Sequence, residues 1–212
     1  MQVKYFTFND FQENTYVLYD DTKECVIIDP GCNTEAERQE LVDYIESAGL
    51  KPVKLVNTHC HIDHVLGNDF VARKYHLSLE AHEGESVVLS NMQSVANMYG
   101  IPYTPSPPIE VHLDESKVLK FGNTELQILF TPGHSPASIS FFHASSEQLI
   151  AGDVLFRGSI GRTDLPGGDF DTLIASIKDK FYSLGDDVHV YCGHGPTTTI
   201  GMERRTNPFL IE

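Results

Sequence analysis

The segment VNTHCHIDHVLGN, residues 56–68, crowds His59, His61, Asp63 and His64 into six positions. Imidazoles and carboxylates this dense do not build an apolar core, and they repel once like charges develop. The run PVKLV just before them reads as a central strand. In extended chain His59 and His61 point to one side and Cys60 points away. Asp63 and His64 follow where the chain must turn. Divalent cations would hold such a cluster together, since imidazole and carboxylate are both good ligands for them.

Working outward, the same design recurs three times. TPGHSP places His134, AGDVLF places Asp153 and YCGHGP places His194, each after an apolar strand and beside a glycine (Gly133, Gly152, Gly193). Functional groups on loops at strand ends, carried by a rigid sheet, are the usual arrangement. Five imidazoles and two carboxylates make seven ligands. Zinc-type sites want about four each, so seven ligands with one shared carboxylate suit two cations. Two cations about 3.5–4 Å apart can clamp an oxygen nucleophile and its electrophile. His76, His82, His112, His143 and His189 have no such neighbourhood and read as surface or packing residues.

The rest of the chain supplies a frame. VKYFTF, NTYVLYD and ECVIIDPG read as strands, and residues 33–49 as a helix opened by a Thr34/Glu37 capping box. A short helix over NDFVARKYH, a strand LSLEAH and a helix over residues 85–100 follow. Four prolines in residues 101–110 predict a connecting loop, a candidate hinge between two halves. Next come a hairpin through Gly122-Asn123, a strand pair SISFFH and QLIAGD, and a glycine-rich loop over 157–169. A helix over 169–185, a strand DVHVYCGHG and a last helix TTTIGMERR close the chain. The count suggests two mixed sheets with helices outside, an α+β sandwich in a single domain spanning residues 1–212.

Composition narrows the function. The chain has 212 residues, 41% of them hydrophobic, which suits a sizeable core. Its 30 Asp and Glu against 15 Lys and Arg leave a net charge of -15, the wrong sign for nucleic acid. No apolar run is long enough for a membrane span, and MQVKYFTFND does not read as a secretory leader. Cys25, Cys32, Cys60 and Cys192 form no C-x-x-C pair and read as reduced thiols. The expectation is a cytoplasmic protein with no membrane or nucleic-acid partner.

THCHIDH, TPGHS, AGDVLFRGSIGRTD and YCGHGPTT, with IIDPG upstream, resemble the metallo-β-lactamase superfamily, in its glyoxalase II (hydroxyacylglutathione hydrolase)-like branch. The resemblance covers nearly the whole chain and implies an αββα sandwich. It implies that His59, His61 and His134 hold one metal, that Asp63, His64 and His194 hold a second, and that Asp153 bridges them. The metals would be zinc, with iron or manganese as alternatives. The implied reaction is thioester hydrolysis by a hydroxide bridging the two metals and oriented by Asp63, on a small-molecule substrate. A thiol leaves as thiolate without a strong general acid.

The chain departs from that branch in three places. It stops at Glu212, without the helical extension that carries basic glutathione-binding residues. It has Arg162 and Asp164 where a basic residue and a tyrosine stand, and Pro196 where another tyrosine stands. Arg162 is a candidate to pair with a substrate carboxylate, or an arginine that pins the glycine-rich loop. GRTD also resembles the persulfide dioxygenases, which use one iron on the same fold. A non-catalytic metal-binding protein is the third reading.

Overall fold

Burial alternates along the first strand and becomes continuous along the second, as expected for an edge strand beside an inner one. In β1 (Gln2–Phe8) Phe6 and Phe8 are buried, whereas β2 (Glu13–Tyr19) is buried over all but its last residue. The structure is a computed structural model that describes residues 1–211. It divides into two compact units, Met1–His112 with Lys120–Glu125, and Leu113–Leu119 with Leu126–Glu212.

The first unit continues with β3 (Glu24–Ile28), β4 (Lys51–Val56), β5 (Leu79–Ala81) and β6 (Ile109–His112). These six strands pair in sequence order. The pairs β1–β2 and β2–β3 are antiparallel; β3–β4, β4–β5 and β5–β6 are parallel. Parallel neighbours need crossovers, and helices make them. Helix α1 (Glu35–Ser47) joins β3 to β4, starting from the expected capping box in which Thr34 and Glu37 cap each other. The turn α2 (Ile62–Val65) and helix α3 (Asn68–Tyr75) join β4 to β5, and α4 (Ser86–Tyr99) joins β5 to β6. Val17, Ile27, Leu41, Ile45, Leu55 and Val71 pack into one core cluster. Cys60, Ile62, Val65, Val88 and Met92 form another, beneath the turn that carries the clustered histidines.

The second six-stranded sheet has the order β14 (Thr198–Thr199), β13 (His189–Cys192), β10 (Gln148–Gly152), β9 (Ile139–His143), β8 (Thr124–Phe130), β7 (Val118–Phe121). The β10–β13 pair is parallel, whereas β9–β10, β8–β9 and β13–β14 are antiparallel, so this sheet is mixed too. Helix α5 (Phe170–Ser176), capped by Asp169, runs on as a π-helical turn (Ile177–Phe181) and a 3-10 turn (Tyr182–Leu184). It buries Leu173, Ile177 and Phe181 against Val188 and Val190. Helix α6 (Ile200–Thr206) closes the unit.

Three expectations need correction. The proline-rich loop ends at Pro108, because Ile109–His112 pairs with β5 as an edge strand. An edge strand can start directly after proline, which has no N–H to donate to a ladder. Nor is that loop a hinge: it lies within the first unit, where Ser106 Oγ donates to Val65 O at 3.3 Å and accepts from Asn68 Nδ2 at 3.2 Å. The glycine-rich loop is not wholly irregular either. Leu155–Phe156 (β11) and Ser159–Ile160 (β12) form a tight hairpin across Arg157-Gly158, with Gly158 at φ +70°. A two-residue turn of this kind needs left-handed backbone, which glycine supplies.

Candidate metal centre

Strand direction decides where the functional groups of the first unit emerge. Strands β3 and β4 run parallel with Ile28 opposite Val56, so Asp29 and the segment from Asn57 leave the sheet at the same end. Strand β2 runs against β3, with Tyr16 opposite Ile28, which brings Glu13 and Asn9 to that end as well. The turn α2 then folds the ligand-type residues together. The ring centroids of His59 and His61 are 4.9 Å apart, and those of His59 and His64 are 4.1 Å apart. Asp63 Oδ2 is 3.5 Å from His64 Nε2. His59 and His64 are buried; His61 and Asp63 are partly exposed. Cys60 points into the core cluster beneath, as its alternation with the histidines predicts.

Behind these groups lies a layer that the sequence reading did not single out. Asp29 Oδ1 accepts from Thr58 N (2.7 Å) and Asn57 Nδ2 (3.2 Å), and Oδ2 accepts from Thr58 Oγ1 (2.6 Å). Asp29 Oδ2 also lies 3.2 Å from His64 Nδ1. A carboxylate only accepts, so that imidazole nitrogen carries the proton and Nε2 keeps its lone pair. The Thr58 hydroxyl spends its proton on Asp29, so it accepts from His59 Nδ1 at 3.1 Å, and His59 Nε2 also keeps its lone pair. Asp29 is close enough to His59 and His64 to be a ligand itself. With four donors on its two oxygens, it acts instead as the group that orients the rings. The clue in the sequence was ECVIID, an apolar strand ending in a carboxylate, the pattern that singled out Asp153.

Glu13 is fully buried, with Oε1 4.0 Å from His64 Nδ1. Burial pushes its carboxyl well above the ordinary range, and the nearby His64 only partly opposes that. Thr15 Oγ1 lies 2.9 Å from both Glu13 Oε2 and Asp29 O, which ties Glu13 to the same layer. Asn9 Nδ2 donates to Gly31 O and to Asp63 O, both at 3.0 Å. Gly31 is required there: a Cβ would lie 2.0 Å from Glu13 Oε2 and 2.7 Å from Asp63 O.

The second unit repeats the strand logic. Strands β8, β10 and β13 share a direction, since β9 is antiparallel to both β8 and β10 and β13 is parallel to β10. Their C-terminal ends therefore share one sheet edge, and His134, Asp153 and His194 follow those ends. Gly193 N donates to Gly152 O at 2.8 Å, which extends the β10–β13 pairing to the base of the cluster. Asp153 Oδ2 is 3.4 Å from His134 Nε2 and 3.4 Å from His194 Nε2. His134 Nδ1 donates to Arg162 O at 2.7 Å, so Nε2 is again the basic nitrogen. The Arg162 guanidinium pairs with Asp164 through Nε and Nη2, at 2.7 Å each, on the exposed surface.

Three imidazoles thus have Nδ1 committed to an acceptor and Nε2 kept as a lone-pair donor. Divalent cations require that state of histidine, and carboxylates complete the nitrogen and oxygen donor set. The residues present fit metal ions of the zinc, iron or manganese type.

Two mixed sheets with helices, carrying histidine–carboxylate clusters at strand ends, define a metallo-hydrolase class. The chain belongs to the metallo-beta-lactamase superfamily, whose family model matches residues 8–194. It is 38% identical to the hydroxyacylglutathione hydrolase GloC of Haemophilus influenzae, over 99% of this chain and 98% of that protein. Among solved structures it is similar to the BLEG-1 B3 metallo-beta-lactamase, with a TM-score of 0.91 and 38% identity over 100% of both chains. It is also similar to TTHA1623 in a di-iron-bound form, with a TM-score of 0.88 and 37% identity over 98% of this chain and 100% of that one. The α+β class expected from the sequence, mixed sheets flanked by helices, is the fold of these relatives. Among the described residues no helix is long and apolar enough to cross a membrane.

Proposed function

We propose that the chain is a binuclear metal-dependent hydrolase of thioesters, similar to the hydroxyacylglutathione hydrolases, with residues 1–212 acting as one metallo-β-lactamase-like domain. The observation that carries this reading is the fixed tautomer of His59, His64 and His134, each held through Nδ1. In it, His59, His61 and His134 hold one divalent cation, Asp63, His64 and His194 hold another, and Asp153 is shared. Zinc suits this donor set, and the di-iron form of TTHA1623 supports iron as the alternative. When bound, such cations supply Lewis acidity that acidifies water and polarises a carbonyl.

The chain's own groups do the rest. Asp63, partly exposed and beside His64, is the acceptor that orients the attacking water and holds its proton. Asp29, Thr58 and the Arg162 carbonyl hold the imidazoles in place, so little reorganisation is needed during reaction. None of the other side chains named above is asked to protonate the leaving group, because a thiol with an ordinary pKa near 8.5 departs as thiolate. Arg162 exchanges Asp164 for a carboxylate of the substrate; both partners are exposed, which keeps that exchange cheap. The partner is a small molecule, with no nucleic acid and no membrane, and four buried thiols suit a reducing cytoplasm.

Metal analysis of the purified protein, paired with hydrolysis of S-lactoylglutathione, tests the proposal. Two metals per chain with thioester turnover is the expected result. One iron per chain with oxygen uptake on a persulfide would replace it with the dioxygenase reading. The likeness to BLEG-1 favours a second substrate class, β-lactams. Turnover of a penicillin exceeding that of every thioester tried would move the assignment there.

A further inference from the structure

A cavity of about 460 Å³ lies between α1 and α3 in the first unit, lined by Arg38, Leu66, Asp69, Phe70, Arg73 and Lys74 among others. That volume falls within the range of small-molecule sites. None of these residues is a proposed metal ligand, and the inference does not depend on the hydrolase reading. Its charge is unusual for this chain: three of only 15 Lys and Arg line one cavity, in a protein of net charge -15.

Two of the three cations have partners. Arg73 Nε is 2.8 Å from Asp69 Oδ1, and Lys74 Nζ is 3.6 Å from Glu46 Oε1. Arg38 differs. Its Nε is buried with no hydrogen-bond partner among the described residues, and its guanidinium lies 5.5 Å from the Phe70 ring centroid. The adjacent Glu37 does not serve it, because its oxygens accept from the N–H groups of Asn9, Asn33 and Thr34. Arg38 lines the cavity with no carboxylate within 4 Å among the described residues, and an oxyanion is the acceptor that its planar fork matches.

We propose that this cavity binds a small organic oxyanion, a carboxylate or phosphate monoester on an apolar body. Its oxygens meet Arg38 and Lys74, and its apolar part lies on Leu66 and Phe70. Arg73, already paired with Asp69, contributes charge from the rim.

Titration of the metal-loaded protein with phenyl phosphate and with benzoate, followed by amide NMR and calorimetry, tests this. Saturable shifts centred on residues 35–47 and 68–75 are expected with at least one of the two. The tighter binder identifies phosphate or carboxylate as the recognised group. Arg38→Gln should weaken binding about tenfold or more, the equivalent of losing one charge-assisted hydrogen bond. Because Arg38 also packs on Phe70, Arg73→Gln combined with Lys74→Gln provides a second variant on the helix surface, with a similar loss expected. The proposal is overturned if neither ligand perturbs those helices at up to about 10 mM. It is equally overturned if both variants bind as the wild type does, which would place the anion elsewhere.

Discussion

Asp29 Oδ2 lies 3.2 Å from His64 Nδ1, in a buried carboxylate that also takes two hydrogen bonds from Thr58 and one from Asn57. This contact sets which nitrogen of His64 keeps its lone pair. Asp29→Asn keeps the size and tolerates the left-handed backbone there, φ 50°, but replaces an acceptor oxygen with an amide. Metal affinity should fall about 10- to 100-fold, as for other outer-layer partners. Chelator competition measures it, and wild-type affinity in the variant would remove Asp29 from this role.

Asp153 Oδ2 stands 3.4 Å from both His134 Nε2 and His194 Nε2. A shared ligand should affect both metals, so Asp153→Ala is expected to lower bound metal below one per chain and to abolish hydrolysis. Metal analysis and an activity assay on the same preparation decide it. Full occupancy with near-normal turnover would refute the sharing.

Gly133 has φ +127°, and a Cβ on it would lie 2.3 Å from Leu173 N. Gly133→Ala therefore combines backbone strain with a clash against helix α5, immediately before His134. A loss of about 3 kcal/mol or more in urea unfolding is expected, together with weaker metal binding. A variant as stable as the wild type would show that the turn can adjust.

Asp20 shows a pH dependence remote from the metal ligands. Burial alone would raise its carboxyl, but bonds from Thr22, Thr124 and Asn123 outweigh it and hold the value at about 2. The folded value lies below the unfolded one, so the carboxylate stabilises the fold above about pH 4. That contribution is lost as pH falls through about 2. The difference in Tm between wild type and Asp20→Asn should be clear at pH 6 and vanish near pH 2. A difference that grows on acidification would contradict it.

The four cysteines are buried thiols. Burial pushes Cys25, Cys32 and Cys192 up to about 12, and raises Cys60 well above the ordinary thiol value. A thiol-specific reagent should label none of them within minutes in the native protein and all four after unfolding. A fast-reacting native thiol would show that one of these sites opens.

Residue chemistry and short spacing are local properties, so they can be read along the chain. The cluster at His59, His61, Asp63 and His64, the glycine-flanked His134, Asp153 and His194, the Thr34/Glu37 capping box and the Gly122-Asn123 hairpin all depend on neighbours a few positions apart. The apolar runs likewise marked most strands and helices of both mixed sheets. The proline-rich segment misled at its end and as a hinge, because pairing with β5 and the Ser106 contacts come from residues 30 to 41 positions away. The hairpin within residues 155–160 was hidden by Gly158, since glycine marks turns and irregular loops alike.

By itself, then, the chain determined the kinds of donor, the strand ends that carry them and the family to which it belongs. Only the tertiary structure decided which nitrogen three of the histidines present, because that depends on acceptors from elsewhere in the fold: Asp29 for His64, Thr58 backed by Asp29 for His59, and the Arg162 carbonyl for His134. It also decided that Arg38 and Lys74, 36 positions apart, line one cavity. The physical reason is the same in each case: a hydrogen bond or an ion's field acts over a few ångströms of space, whatever the distance along the chain.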